Sequence, residues 1–352
     1  MISARYHISS ASMKAACLTE IGAPLSLADV PVPRIGPFDA LIETRTCGIC
    51  RTDIHIQDGM AYVPSLPHVP GHEPAGVVCE VGSEAVGIQV GDRVVPHLFI
   101  TCGSCRFCRS GRDSQCSHVK GIIGVTTWGG FAEYFKAPAR NLLVLPEKVP
   151  FDVGGLTSCA IITAIHAFRR AKFAMGDVAL VLGAGGIGQA LIQILKHAGG
   201  RVAVISRTGE TLDIARRLGA DLCLMPGPEA ATSILEFADG EGAACTFECV
   251  GLAATMKLAA ECTRRGGRLV VVGEEAEYPA IDTIQIAQRE LEILGSRNGS
   301  LQDAADALQG MAQGVIRPPI YQRVPLEHIN EGMQLVRTGA AHGRVVVDIS
   351  SP

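Results

Sequence analysis

The 352-residue sequence lacks any strong imbalance of charge. Its formal net charge is −4, its pI is about 6.2, and no block of like charges occurs in it. A chain that binds nucleic acid or an anionic membrane surface usually carries a basic patch or run. We therefore expect neither kind of partner.

The sequence also lacks the segments that carry a chain to or across a membrane. Its N-terminal stretch, MISARYHISSASMKAAC, has no apolar core of the kind found in signal peptides. The longest apolar stretch, 178–195, contains four glycines and two glutamines, which favour a buried strand, turn and helix over a membrane span. We expect a cytoplasmic protein whose first dozen residues form a polar arm.

Features of disordered and repetitive chains are missing as well. Hydrophobic residues make up 47% and charged residues 19% of the sequence, a composition that can bury a large core. We find no internal repeat and no low-complexity tract. The length suggests two domains, at about 100–200 residues each.

Two textures follow each other along the chain. The first part, to about residue 155, has short β-rich runs broken by proline and glycine, which favour an antiparallel, partly closed β domain. From about residue 160, strand and helix patterns alternate, which predicts a parallel sheet with helices on both faces. The tail has two amphipathic helices and a last strand, RVVVDI, and should return to the first domain. The predicted domains are 1–158 with 297–352, and 159–296.

A glycine-rich turn stands where the first strand of the second region meets its helix. In VLGAGGIGQ, glycines have the G-x-G-x-x-G spacing, follow an apolar strand and open a helix. That context is typical of a turn that brings backbone N–H groups to a dinucleotide pyrophosphate. A glycine-rich turn without a nucleotide is the alternative. The predicted cofactor contacts are Gly183, Gly185, Gly186, Ile187 and Gly188.

The end of the next strand bears on the choice of cofactor. NAD sites place Asp or Glu there, about 20 residues past the glycines, to accept from the ribose 2′-hydroxyl. This chain has Ser206 and Arg207 instead. A hydroxyl and a guanidinium suit a 2′-phosphate, which a carboxylate would repel. The sequence favours NADP(H) over NAD(H); a solvated arginine beside bound NAD is the alternative.

Four closely spaced cysteines form a second motif. Cys102, Cys105, Cys108 and Cys116 follow the pattern C-x2-C-x2-C-x7-C. Four thiolates at such spacing can surround one tetrahedral Zn²⁺, and a site closed in this way is structural rather than catalytic. Iron–sulfur ligation and two disulfides are the alternatives, and the expected compartment argues against the disulfides.

The segment TCGICRTDIH, 46–55, leaves a question open. Cys47 and Cys50 have the spacing of a redox pair or of half a zinc site. Spacing alone does not decide whether both sulfurs act, or only one. Six other cysteines lie in apolar runs and are predicted to be small buried residues: Cys17, Cys79, Cys223, Cys245, Cys249 and Cys262.

Taken together, these segments resemble the zinc-dependent medium-chain alcohol dehydrogenases. The resemblance rests on GICRTDIH, PGHEPAGVV, GDRVVP, the four-cysteine lobe, TSCAIITA and GAGGIG, in that order, and covers nearly the whole chain after Met13. It implies a GroES-like, partly closed antiparallel β catalytic domain and a Rossmann doubly wound parallel sheet. It also implies a homodimer or homotetramer, for which the strand LEILGS could supply an edge.

The resemblance implies a catalytic zinc site. In that family one cysteine of the GIC segment, the histidine of GHE and a cysteine just before the Rossmann domain bind the metal. The matching residues here are Cys50, His72 and Cys159, with Glu73 close to the metal. Three protein ligands leave a fourth position open. We therefore expect two zinc ions per chain, one catalytic and one in the four-cysteine lobe.

The same resemblance gives roles to neighbouring residues, and most of these have plainer alternatives. Thr52 could cap the following helix, and we expect it to do so in either case; His55 could be a surface histidine; Glu73 could be a buried ion-pair partner, and His72 a buried structural histidine. The implied roles are Asp53 accepting from the His72 ring, Arg51 contacting the cofactor pyrophosphate, Thr52 holding the alcohol proton, His55 passing it to solvent, and Thr163 lying against the nicotinamide.

The implied reaction is reversible hydride transfer between a primary or secondary alcohol, or the corresponding carbonyl, and a nicotinamide cofactor. The resemblance places the substrate pocket near residues 60–61, Leu98, Phe131 and the 290s, and Met60 and Leu98 indicate an apolar pocket. One alternative is an NAD-dependent polyol, sorbitol or threonine dehydrogenase. The third ligand is Cys159 rather than a glutamate, which favours the alcohol dehydrogenases over this alternative. A non-catalytic nucleotide-binding protein is another, and the retained zinc ligands speak against it.

Overall fold

The computed structural model describes residues 11–60 and 62–349. Residues 1–10 of the predicted polar arm and residue 61 of the predicted pocket lie outside the described residues. The chain divides into two compact units. The first takes in the chain up to Cys159, Ser300–Ala312 and the chain from Pro319 on, and the second takes in Ala160–Gly299 and Gln313–Pro318.

The first unit is built mainly of short strands. Its strands are β1 Ser12–Cys17, β2 Ser26–Pro31, β3 Asp39–Ile49, β4 Glu73–Val81, β5 Arg93–Pro96, β6 Phe99–Ile100, β7 Gly121–Ile122, β8 Tyr134–Pro138, β9 Leu142–Val144, β16 Ile320–Pro325 and β17 Arg344–Asp348. Its α-helices are α1 Arg51–Gln57, α2 Arg106–Arg109, α3 Phe151–Gly154, α10 Leu301–Ala312 and α11 Ile329–Thr338. Short 3-10 helices are Asp113–Gln115, Ala139–Asn141, Gly155–Ser158 and Leu326–His328.

One seven-stranded sheet organises this unit. Its order is β16-β17-β3-β4-β5-β9, with β8 also paired to β3, while β1–β2 and β6–β7 form separate two-stranded sheets. All of its pairs are antiparallel except β16–β17. Those two strands run parallel because helix α11 connects them, and a parallel connection needs such a crossover. Strands β16 and β17 of the tail thus belong to the sheet of the first unit, whereas Gln313–Pro318 belong to the second unit.

The second unit alternates strands and helices. Its strands are β10 Val178–Leu182, β11 Arg201–Ile205, β12 Leu222–Leu224, β13 Ala243–Glu248, β14 Thr263–Val271 and β15 Glu292–Gly295. Its helices are α4 Ala160–Ala171, α5 Gly186–His197, α6 Gly209–Arg217, α7 Ala230–Phe237, α8 Ala253–Cys262 and α9 Thr283–Arg289.

The six strands of this unit form a wholly parallel sheet of order β12-β11-β10-β13-β14-β15. Chain order reverses between β10 and β13, which is the topology of a doubly wound sheet. The central strands β10 and β13 are mostly apolar, and all of their residues except Val178 are buried, as expected of strands covered on both faces. The predicted fold class, an antiparallel β domain with a doubly wound parallel sheet, is confirmed.

Among the described residues no single helix has the length and apolar composition to cross a membrane. One bent pair of helical segments, Phe151–Ser158 followed by Ala160–Ala171, has together the length and composition of a membrane span, and nothing beyond length and composition supports one.

Candidate active site

Three chain segments of the first unit bring two cysteines and a histidine together. Cys50 follows the end of β3, His72 precedes β4, and Cys159 follows the 3-10 helix Gly155–Ser158. Strands β3 and β4 pair with Gly48 opposite Glu73, so the end of one strand lies beside the start of the other. The ligand atoms of Cys50, His72, Glu73 and Cys159 all lie within 4.8 Å of one another.

The sulfurs of Cys50 and Cys159 lie close enough to affect each other's ionisation. Their Sγ atoms are 3.9 Å apart, within reach of a weak S–H hydrogen bond. That contact is the main cause that holds the pKa of Cys50 well below its ordinary value, against the opposing effect of burial. The same contact raises the pKa of Cys159 well above its ordinary value. The contact therefore favours ionisation of Cys50 over that of Cys159, and the thiolate is the form that binds metal.

His72 is fixed in orientation by one carboxylate. The buried Asp53 accepts a hydrogen bond from His72 Nδ1 at 3.0 Å, which leaves Nε2 turned away from it. Burial disfavours a charged imidazole, but the Asp53 carboxylate outweighs burial and raises the pKa of His72 well above its ordinary value. Among the described residues, the buried Nε2 has no hydrogen-bond partner. An unsatisfied imidazole nitrogen within 4.8 Å of two sulfurs is the donor set that a zinc ion requires.

Glu73 forms the buried ion pair that was one of the two roles considered for it from the sequence. Its carboxylate is fully buried and accepts from the guanidinium of Arg344, the first residue of β17. Burial raises the pKa of Glu73 to about 7, and the Arg344 charge works in the opposite direction. The other carboxylate oxygen, Oε1, has no hydrogen-bond partner among the described residues. The ion pair therefore leaves one carboxylate oxygen of Glu73 without a hydrogen bond among the described residues.

Sequence reasoning missed Arg344. It begins strand β17, RVVVD, where three buried valines follow it, and that strand pairs with β3 so that Val345 lies opposite Ile49, next to Cys50. A basic residue at the start of a strand predicted to return to the buried β domain is the signal that could have pointed to a buried acidic partner.

The segment after Cys50 forms helix α1, and the expected cap was wrong. Cys50, not Thr52, is the N-cap residue, because its backbone N–H donates to the Asp53 carboxylate at 2.9 Å in the first turn. Thr52 lies inside that turn with its hydroxyl 4.0 Å from the Cys50 sulfur. Asp53 thus holds both the helix start and the imidazole of His72.

The other residues of this segment differ in exposure. His55 is 7% exposed, so the alternative of a surface histidine is wrong, and its Nε2 has no partner among the described residues. Arg51 is exposed and donates to the backbone carbonyl of Arg337 at 3.1 Å. Cys47 is fully buried, and burial raises the pKa of its thiol well above the ordinary value. It does not belong to the metal-binding groups found among the described residues.

The four lobe cysteines lie together as a second cluster. Four sulfur-to-sulfur distances are 3.5 Å for Cys105–Cys108, 3.6 Å for Cys102–Cys116, and 3.9 Å for both Cys102–Cys108 and Cys105–Cys116. Four sulfurs bound at about 2.3 Å to a tetrahedral Zn²⁺ are about 3.8 Å apart. The spacing therefore fits one zinc ion.

The local backbone of the lobe favours thiolates. Backbone N–H groups point at the sulfurs, with the Cys108 N–H the main cause that lowers the pKa of Cys105 to about 5 and the Ser104 N–H the main cause that lowers that of Cys102 to about 7. Burial raises the pKa of Cys108 to about 11. A bound cation would offset the cost of ionising the Cys108 thiol, because its positive charge would compensate that of the thiolate.

The glycine turn has the shape that a dinucleotide site needs. Gly183, with φ +90°, ends β10 in the left-handed region, and Gly185 is the N-cap of α5. A Cβ at Gly188 would lie 2.1 Å from the carbonyl oxygen of Gly183, so only glycine allows the helix to pack this closely on the turn. Around Gly185 nothing lies within 4 Å of a Cβ, which leaves the N-terminus of α5, with Gly186 and Ile187, open.

The remaining predicted cofactor residues lie in the same unit. Ser206 follows β11 and is partly buried, whereas Arg207 is exposed. Thr163 is 6% exposed in the first turns of α4.

Sequence reasoning also missed the buried carboxylate of Glu248, an acid that ends the apolar strand β13. It accepts hydrogen bonds from the N–H groups of Val250 and Gly251 and from the hydroxyl of Thr255. Its strand end lies next to that of β10, because β13 and β10 pair with Leu182 opposite Glu248.

The predicted substrate-pocket residues are mostly covered. Leu98 and Phe131 are 4% and 0% exposed, and Met60 is partly exposed. Phe131 packs against Gly71, whose φ of +95° and contact of 2.7 Å between a would-be Cβ and that ring admit only glycine before His72. The predicted buried state holds for Cys17, Cys79, Cys245 and Cys262, whereas Cys223 and Cys249 are partly buried.

Two family models match the chain. The alcohol dehydrogenase GroES-like domain matches residues 36–147, and the zinc-binding dehydrogenase model matches residues 186–313. An alcohol dehydrogenase of Geobacillus stearothermophilus is 34% identical over 96% of this chain and 100% of its own length. An L-threonine 3-dehydrogenase of Proteus mirabilis is 31% identical over 92% of this chain and 95% of its own.

Solved structures agree with these matches. An NAD-dependent alcohol dehydrogenase has a TM-score of 0.91 at 29% identity, covering 96% of this chain and 100% of its own. A zinc-binding dehydrogenase of Sinorhizobium meliloti, solved with NADP, has a TM-score of 0.87 at 28% identity over 96% and 100%. Fold, sites and matches define an NAD(P)-dependent oxidoreductase. The chain belongs to the zinc-type medium-chain alcohol dehydrogenases, as the motifs of the sequence indicated.

Proposed function

We propose that this protein transfers hydride reversibly between a small primary or secondary alcohol and NADP(H), at a zinc ion held by Cys50, His72 and Cys159. The observation that carries the proposal is the unsatisfied, buried Nε2 of His72 within 4.8 Å of both sulfurs. Two cysteines and one histidine leave a fourth zinc position for a substrate oxygen, as a catalytic rather than a structural site requires. When bound there, zinc would act as a Lewis acid that acidifies an alcohol or polarises a carbonyl.

The residues around the cluster prepare it for this task. Asp53 holds the His72 ring by its Nδ1, which fixes the tautomer that presents Nε2 to a metal. Glu73 has a carboxylate oxygen within 4.8 Å of the ligand atoms, and Arg344 holds one of its oxygens. A zinc ion would therefore meet an imidazole already oriented and a thiolate already favoured at Cys50.

A proton path starts beside Cys50. The Thr52 hydroxyl, 4.0 Å from the Cys50 sulfur, would hold the proton of the reacting alcohol. The cofactor ribose would carry it from there to His55, whose Nε2 is buried and lacks a partner among the described residues, and His55 would pass it on toward solvent. Because His55 is only 7% exposed, we expect the transfer from it to bulk water to need a relay water rather than direct contact.

The glycine turn and the residues after β11 would bind the cofactor. The open N-terminus of α5 suits a pyrophosphate, with Arg51 as a further cationic contact, and Thr163 would lie against the nicotinamide. Ser206 and the exposed Arg207 favour NADP, because neither repels a 2′-phosphate. Bound nicotinamide would carry the hydride.

The four-cysteine lobe would hold a second, structural zinc, since its sulfur spacing of 3.5–3.9 Å suits a closed tetrahedral site. Cys105→Ser should therefore lower the melting temperature and the zinc content by one ion per chain, without changing the metal at Cys50. An unchanged melting temperature would argue against a structural zinc.

The metal proposal is tested with a matched pair of variants. Cys50→Ser should reduce the zinc content of the purified protein from two ions per chain to one, whereas Cys47→Ser should keep both. Zinc measured by mass spectrometry gives a readout that does not depend on activity. Equal loss in the two variants would instead mean that Cys47 and Cys50 act as a pair, and the proposed ligand set would be abandoned.

The cofactor and substrate proposals are tested together by kinetics. NADP should give the higher kcat/KM, and Arg207→Ala should lower it about tenfold or more for NADP while leaving NAD nearly unchanged, because only the 2′-phosphate loses a charged hydrogen bond. A higher kcat/KM with NAD would refute the role of Arg207. The similarity to the Proteus mirabilis L-threonine 3-dehydrogenase makes threonine an alternative substrate. A panel of apolar alcohols, polyols and threonine distinguishes alcohol dehydrogenase activity from threonine dehydrogenase activity.

We also propose that copies of this chain assemble through β15. This strand is the last of its sheet among the described residues, and Ile293 on it is 37% exposed. A homodimer or homotetramer should appear in light scattering, and Ile293→Lys should reduce it. The thiolate-rich sites suit a reducing compartment such as the cytoplasm.

A further inference from the structure

A cavity of about 810 Å³ opens on the first unit, away from the proposed zinc ligands. The two-stranded sheet of β6 and β7, the end of β8 and two turns near residues 33–39 and 84–86 surround it, and Cys50, His72 and Cys159 are not among its lining residues. Its volume is within the range of about 300–1,000 Å³ that small-molecule sites have. Neither the proposed reaction nor the family matches assign it a role.

The walls of this cavity are largely apolar and in part aromatic. Trp128 and Ile100 line one side, and Phe38 and Val86 line the mouth, where they are 61% and 79% exposed. Two large apolar side chains exposed around one concavity raise the free energy of the empty surface, because water must cover them. An apolar ligand body would remove that cost.

The charged groups of the cavity are mainly positive. Lys120, Lys136 and Arg140 face Asp39 and Glu84, and the Asp39 carboxylate already accepts from the Gly36 N–H at 3.0 Å. Lys136 donates to the carbonyl of Arg34 at 3.0 Å, and Arg140 donates to the carbonyl of Thr101. Each cation keeps further N–H groups for a ligand, since an ammonium has three donors and a guanidinium five. The cavity therefore complements an anion better than a neutral or cationic group.

We propose that this cavity binds a small amphipathic anion, that is, an aromatic or branched apolar body carrying one carboxylate or sulfonate. The apolar body would lie between Trp128 and Val86, and the anionic group would face Lys120, Lys136 and Arg140. Such a ligand differs from the uncharged alcohols and carbonyls of the proposed reaction, so the cavity is a second site and not an extension of the first.

The chain provides its own reporter for this site, because Trp128 is its single tryptophan. The probes are 8-anilino-1-naphthalenesulfonate and N-phenyl-1-naphthylamine, which share the anilinonaphthalene frame and differ in the sulfonate. With the zinc-replete protein we expect saturable quenching of Trp128 by the sulfonate probe, and binding of the neutral probe about threefold weaker or more. Lys120→Ala should weaken binding of the sulfonate probe and leave that of the neutral one unchanged.

A matched pair of variants separates this cavity from other apolar surfaces. Val86→Asp places a carboxylate at the mouth and should weaken the sulfonate probe at least tenfold. Val90→Asp makes the same change at a 40%-exposed valine of the same unit that does not line the cavity, and it should bind the probe as the wild type does. The melting temperatures of both variants verify that they are folded.

Three results would overturn the proposal. The first is equal affinity for the two probes, which would mean that the cations take no part. The second is equal loss of the sulfonate probe in Val86→Asp and Val90→Asp. The third is a change in oligomeric state in Val86→Asp without a change in probe binding, which would mark this face as a contact between copies.

Discussion

The buried pair of Glu73 and Arg344 allows a quantitative prediction. Glu73 is fully buried, and the Arg344 side chain is only 10% exposed, so neither charge has water as a substitute partner. Replacing Arg344 by Met removes the guanidinium and leaves the carboxylate without its counter-ion. Breaking a buried ion pair from one side costs about 3–5 kcal/mol. We expect Arg344→Met to lower the free energy of unfolding by about that amount.

The double variant Arg344→Met with Glu73→Gln separates the pair from other effects of the substitution. Because the double variant removes both charges, no unpaired charge remains, and its free energy of unfolding should be close to that of the wild type. The control is Lys14→Met, which breaks a pair in the same unit between side chains that are 64% and 70% exposed. That change should cost about 0–1 kcal/mol.

The assay is guanidinium unfolding followed by tryptophan fluorescence. Trp128 lies in the same unit as the pair and is the only tryptophan of the chain, so its signal reports the unit that matters. All variants should be compared at the same zinc content. A cost below about 1 kcal/mol for Arg344→Met would refute the reasoning, because an unpaired buried carboxylate cannot be that inexpensive.

Three further variants give sharp outcomes. Gly188→Ala should lower the melting temperature and weaken cofactor binding, because its Cβ would lie 2.1 Å from the Gly183 carbonyl oxygen, whereas Gly185→Ala, with nothing within 4 Å, should keep the melting temperature. Arg337→Met removes the partner that lowers the pKa of Asp58, and this pair stabilises the protein above the ordinary pKa of Asp58. Near neutral pH the variant should therefore have a free energy of unfolding about 0.2–1 kcal/mol below that of the wild type, and this difference should vanish as the pH falls through the folded-state pKa of Asp58. A difference that persists in acid would contradict the reasoning. Glu248→Gln should destabilise the loop after β13 and raise cofactor KM more than it lowers kcat, because an amide cannot accept all the N–H and O–H donors that the carboxylate does; unchanged cofactor binding and stability would show that the loop does not need the charge.

Local spacing predicted those parts of the site that depend on short stretches of chain. The lobe cysteines lie within fifteen residues, and Gly183 to Gly188 form a single turn, so their neighbours in sequence are also their neighbours in space. Cys50, His72 and Cys159 came from motif order rather than spacing, since 109 residues separate the two cysteines.

Contacts that depend on strand register could not be predicted in the same way. Arg344 reaches Glu73 only because β17 pairs with β3 and β3 with β4, and the two residues are 271 positions apart. The cap of α1 was misassigned for a smaller reason. Thr52 is a good cap by residue type, but strand β3 runs on to Ile49, so the helix begins two residues earlier than that assignment requires.

The interrupted course of the first unit has a consequence for how the protein is made. Every proposed ligand of the catalytic metal lies before Ala160, yet the strand that neutralises Glu73 is synthesised more than 180 residues later than Cys159. A nascent chain should therefore complete the parallel-sheet unit first, while the sheet of the first unit stays incomplete until β16 and β17 have been synthesised. During that interval the sulfur and imidazole groups are present without their buried arginine. We expect metal loading at Cys50 to follow release of the chain, and the lobe cysteines, whose partners are all local, to take up metal during synthesis.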